Sequence, residues 1–112
     1  MSLLNQIKQS LRITADNTAF DDEISDLILQ CIADLEGSGV SPPSFNSYGE
    51  IDESGNTIDT ITDGNIRQAI ILFCKAYFGI DNPDKAFFVD RYHFKKAQLL
   101  NQSAYLLGDD NE

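Results

Sequence analysis

The sequence predicts an all-α fold, a four-helix domain with a long polar loop between its second and third helices. Three observations predict it. Apolar residues recur at the three- and four-residue spacing of a helix in four separate windows. Starting signals (Ser2, Thr18, Asp63, Asn82-Pro83) and glycines (Gly37, Gly39, Gly79, Gly108) bracket those windows. The strand signal is confined to Ile51 and Ile58 flanking Ser54-Gly55-Asn56, a small β-hairpin within the loop.

The first segment runs from Ser2, its N-cap, to Arg12, with Leu4, Ile7 and Leu11 on one face. So short a stripe needs a partner to stay helical. The second, Thr18 to Glu36, gathers Phe20, Ile24, Leu27, Ile28, Cys31, Ile32 and Leu35 into one arc. Asp21, Asp22 and Glu23 fall in its first turn, where the helix dipole favours negative charge. Adjacent side chains diverge around a helix, so these three acids do not converge on a metal ion.

Residues 37–62 form a polar loop of unusual length for so small a domain. An isolated hairpin is marginal in water, so it is expected to be either mobile or held by a partner. The third segment, Asp63 to Phe78, is apolar nearly all round and is expected to be the buried core helix. The fourth opens at Asn82-Pro83 and runs to Leu107, with a flexible tail over 108–112. Its apolar residues occupy three sides: Phe88, Tyr92 and Leu99; Val89 and Leu100; Phe87 and Phe94. That surplus marks Phe87, Phe88, Arg91, Tyr92, Phe94 and Lys95 as a candidate protein interface. The alternative cover for the third side is the long loop.

With 112 residues and 42% apolar content, the chain suits one folded domain, 1–112, with one modest core. No apolar run approaches the ~20 residues of a membrane helix, and the N-terminus lacks a secretory layout. The expected location is the cytoplasm in which the chain is made. Charge is unevenly spread. Residues 1–63 carry two basic side chains, Lys8 and Arg12, against twelve acidic ones; 64–112 carry six of each. The whole formal net charge of −10 therefore belongs to the first part. Such a surface argues against gripping DNA, whose phosphates require Lys and Arg, and favours solubility or a place beside DNA without adhesion. Asp21, Asp22, Glu23, Glu50, Asp52 and Glu53 make up the candidate acidic surface.

No convergent catalytic chemistry emerges. The glycines lack a phosphate-cradling pattern, and Cys31 and Cys74 sit in apolar helical patterns as small buried hydrophobes. His93 is the single histidine, too isolated for a metal cluster or a nucleophilic triad. No cofactor and no metal is expected, and no enzymatic activity. Lys85, Arg91, Lys95 and Lys96 form the one basic concentration. They suit nucleic acid or the acidic part of a neighbouring subunit, and Asp84 and Asp90 temper the first reading.

The order of these segments resembles a known family. "LLNQIKQSLRIT", the acid-rich "DNTAFDDEISDLILQCIADLE", then "NIRQAIILFCKAYFGIDNPDK" and the aromatic "FFVDRYHFKKAQLL" resemble the small head–tail connector (head-completion, adaptor) proteins of tailed phages and prophages, also labelled putative DNA-packaging proteins. Ile66 to Asp84 is most similar to that family's central helix and turn. The resemblance spans nearly the whole chain and is carried by hydrophobic patterns. It implies a helical, non-enzymatic subunit of a homo-oligomeric ring beneath the portal, in the virion neck. The ring would contact the portal protein and the next tail-side connector, and extend a channel through which DNA passes without specific binding. A ring requires two different patches per subunit; the fourth helix supplies one and the acidic second helix or loop the other. Two alternatives remain from the residues: an acidic DNA mimic, which requires acids in regular rows, and a small regulatory partner protein such as an antitoxin, which the lack of a basic N-terminal arm weakens.

Overall fold

The computed structural model describes residues 2–79 and 81–102; the proposed tail 108–112 and the extension of the last helix to Leu107 lie outside the described residues. Four α-helices follow one another: α1 (Leu3–Ser10), α2 (Asp21–Ser38), α3 (Gly64–Tyr77) and α4 (Lys85–Leu100), with a 3-10 turn at Pro43–Phe45. The all-α expectation holds. The body measures 46 × 40 × 19 Å, so it is about two helix diameters thick and each outer helix keeps an open side.

Local chemistry sets the helix ends. Ser2 caps α1, its hydroxyl accepting from Asn5 N–H at 3.1 Å. Arg12 then takes the left-handed conformation (φ 63°), turning the chain back under α1. Of the predicted α1 stripe, Ile7 is buried while Leu4 and Leu11 are only half-buried; Leu3 and Lys8 complete the inner face. α2 starts at Asp21, not Thr18, whose carbonyl accepts from Asp21 N–H instead of capping the helix. Phe20 thus sits outside α2, 39% exposed, edge-on to Phe78 at 5.4 Å. Gly37 is helical, and Gly39, at φ 110°, ends α2 as a left-handed cap.

α3 is the central helix, touching each of the other three. Asp63 caps it by accepting from Asn65 and Ile66 N–H at 2.8 and 3.1 Å. Asn82 serves both helices: its Oδ1 accepts from Asp84 N–H at 3.0 Å in the turn that leads into α4, as expected of a cap. Its amide donates to the terminal carbonyls of Lys75 and Ala76, closing α3, and α4 begins only at Lys85. The core joins Ile24, Ile28, Leu35, Ile66, Ile70 and Leu99 across the helices.

The long loop is held by the chain itself, through buried Val40, Phe45 and Ile61. Arg67 Nε also donates to Ile61 O at 2.6 Å. The hairpin is present in rudimentary form: Ile51 pairs with Thr57 antiparallel, and Ile58 N–H donates to Glu50 O at 2.7 Å. The base of the loop is thus packed on the body, while the hairpin tip, 50–57, is exposed throughout. No described helix is long and apolar enough to cross a membrane.

Candidate functional site

The open side of α4 carries an aromatic and basic stripe. Phe87, Arg91, Phe94 and Gln98 recur at four- and three-residue steps, so they share one face. Tyr92 and Leu99 turn inward, 2% and 0% exposed, which leaves Phe87 and Phe94 outward at 58% and 63%. The loop does not cover them. Arg91 lies over the Phe87 ring at 5.6 Å, and Phe87 meets Phe88 edge-on at 5.3 Å. Between α3 and α4 runs a shallow groove of about 130 Å³, lined by Gln68, Leu72, Arg91, Phe94, Lys95 and Gln98. Lys95 is steadied on its rim by donating to Asn65 Oδ1 at 3.0 Å.

Tyr92, expected at an interface, belongs to the interior. Its hydroxyl accepts from Cys31 Sγ at 3.7 Å and donates to Asp34 Oδ2 at 2.6 Å, where Lys96 also donates at 2.9 Å. Burial alone would raise the Asp34 carboxyl; the hydrogen bonds from Tyr92 and Lys96 outweigh it and hold the group below the ordinary carboxylate range. Burial raises the Tyr92 phenol and pushes the Cys31 thiol up to about 12. These are properties of a packed polar contact between α2 and α4.

The acidic side chains divide between structure and surface. Asp21 forms an ion pair, not an aligned hydrogen bond, with Lys8 at 2.9 Å, and Lys8 is 1% exposed. Asp21 is thus removed from the free acidic surface the sequence suggested. Glu23 accepts from Gly79 N–H at 3.2 Å. Asp52 Oδ1 accepts from Ser54 and Asn56 N–H, both at 2.9 Å, and so shapes the hairpin turn. Asp22, Glu50 and Glu53 are exposed. Asp34, Asp59 and Asp63 are likewise engaged, the first two in ion pairs and the last as the cap of α3.

A second apolar patch was not foreseen. Leu29 on α2 and Ile51 on the hairpin are 50% and 64% exposed. Leu29 borders a groove with Ser25, Tyr48, Gly49 and Thr57, so it faces the hairpin. Asp34 faces α4, and five residues correspond to roughly 140° around a helix. The hairpin and α4 therefore flank α2 on different sides. The signal available in the sequence was Leu29 itself, a leucine lying outside the apolar arc of its helix.

His93 is exposed beside Tyr92, their rings 5.5 Å apart. Among the described residues no three His, Cys, Asp or Glu side chains gather as metal ligands. The arrangement offers surfaces for contact. A protein family described as phage connector protein matches residues 3–105 of the chain. No curated protein and no solved structure matches it.

Proposed function

The chain belongs to the phage connector protein family, and from that premise we propose that it is the subunit of a homo-oligomeric ring beneath the portal, joining head to tail and prolonging the DNA channel. The structural connector role comes with the family. The ring and the channel are our reading, and one observation carries them. Each subunit exposes two unlike patches on different flanks: aromatic and basic on α4, apolar and acidic at Leu29 and the hairpin. Unlike patches that face different ways meet head to tail, and a head-to-tail contact that closes makes a ring.

The excess of acid supports the channel. A lumen that repels phosphate lets a duplex slide, whereas a basic one would retain it through released counterions. Asp22 is one exposed acid available to such a wall or to its mouth, and Asp16, Asp26 and Glu36 are exposed as well. Subunits made in the host cytoplasm would reach the neck by docking on the portal and then offer the next tail-side component its footing. The test is co-sedimentation with the portal of the encoding phage, followed by electron microscopy. Added ring-shaped density at the tail-side end of the portal is expected. A chain that stays at the top of the gradient with the portal present contradicts the proposal.

A further inference from the structure

The α4 stripe and the hairpin are chemical complements, and nothing within one subunit brings them together. The groove beside Phe94 has an apolar floor at Leu72 and a cationic rim at Arg91 and Lys95. The hairpin has an apolar tip residue, Ile51, set between Glu50 and Asp52 and followed by Glu53. Its form is already fixed: Asp52 N–H donates to Asn56 O at 2.9 Å, Gly55 N–H to Asp52 O at 3.0 Å, and Gly55 takes φ 85°. A preformed projection loses little conformational freedom on docking.

We infer that the hairpin of one copy seats in the α3–α4 groove of the next, with Ile51 against Phe94 and the carboxylates of Glu50 and Glu53 facing Arg91 and Lys95. The occupant is a second copy of this chain, and the inference rests on the ring reading, to which it gives a contact. Charge selects this occupant. The groove rim is cationic, and the hairpin sets exposed Glu50, Asp52 and Glu53 around the uncovered Ile51 on a projecting turn, whereas Leu29, with Asp26 beside it, lies on a helix face. A like-with-like meeting of two α4 stripes would instead place Arg91 and Lys95 of one copy against their counterparts. The contact is head to tail, since Leu29 and the hairpin lie on a different flank of α2 from α4.

Two sets of variants test it in the full-length chain, assembled with its portal. Oxidation of the double variant Ile51→Cys, Phe94→Cys is expected to give a ladder of covalent oligomers beyond the dimer on non-reducing gels, abolished by reductant. Either single variant gives no ladder, because Cys31 and Cys74 are buried. Separately, Arg91→Glu with Lys95→Glu is expected to raise the concentration needed for assembly by about tenfold, and adding Glu50→Lys with Glu53→Lys is expected to restore it. Intact rings with no ladder and no charge-swap rescue overturn the docking and leave the ring standing. A wild-type chain that forms no ring on the portal overturns both.

Discussion

Tyr92 on α4 donates a hydrogen bond of 2.6 Å to Asp34 on α2, and Lys96, one turn further along α4, donates to the same carboxylate oxygen at 2.9 Å. This contact ties the outer helix to the body while Phe73 meets the Tyr92 ring edge-on at 5.2 Å from α3. It also orients α4. With Tyr92 held inward, Phe87 and Phe94 have no direction left but outward.

Tyr92→Phe keeps the ring and deletes the hydroxyl, and it is expected to cost about 1 kcal/mol in urea unfolding at pH 7. That is the low end for a bond to a charged group, because the Asp34 side chain is 43% exposed. The sign with pH follows from the lowered Asp34 carboxyl. A group whose folded pKa is depressed stabilises the fold above its unfolded value, about 3.9, and loses that contribution as the pH falls through the folded value. The gap between wild type and variant therefore narrows below about pH 4. A gap unchanged at pH 3 would contradict the assignment.

The Lys8–Asp21 pair is asymmetric in burial, and its two partners should differ in mutational cost. Asp21→Asn removes the counter-charge of a buried ammonium whose other partner is the Ala15 carbonyl, at 3.0 Å, and is expected to cost about 2–4 kcal/mol. Lys8→Met leaves a carboxylate that is partly exposed and costs about 1 kcal/mol. Chemical denaturation of both variants checks the order.

Two glycines near the end of α2 predict opposite outcomes from the same change. Gly37→Ala lies in helical backbone with nothing within 4 Å of the new methyl and should raise stability by about 0.5–1 kcal/mol. Gly39→Ala is forced to φ 110° and should lower it by about 1–2 kcal/mol. Thermal unfolding of the pair is sufficient.

The two thiols should be silent in the folded chain. Burial pushes Cys31 up to about 12 and raises Cys74 as well, so at pH 8 the thiolate of Cys31 is on the order of one part in ten thousand. Iodoacetamide should modify neither in native protein and both in urea. Rapid native labelling would mean that α2 and α3 open readily.

What the sequence made legible follows from which forces are local. Ser2, Asp63 and Gly39 act within a few residues of themselves, and their roles were readable. The core helix was readable because α3 is apolar on nearly every side. Asn82 is readable as the start of the turn into α4, whereas its second role is not, because the carbonyls of Lys75 and Ala76 belong to the preceding helix. The inward turn of Tyr92 is illegible for a related reason. Helical periodicity groups residues on faces and does not say which face meets Asp34, 58 residues away. The engagement of Asp21 is illegible as well, because its partner Lys8 is buried only by tertiary packing. The exposed pair Phe87 and Phe94 is visible as surplus in the sequence and Leu29 as a leucine off its helix's apolar arc, whereas that Leu29 faces the hairpin depends on where the loop folds.

Native mass spectrometry of the full-length chain across concentration, alone and with its portal, tests the ring most directly. One closed oligomer larger than a dimer is predicted, and Phe87→Asp with Phe94→Asp should reduce it to folded monomer. A wild-type chain whose largest species is a monomer or dimer under every condition, portal included, would contradict the account.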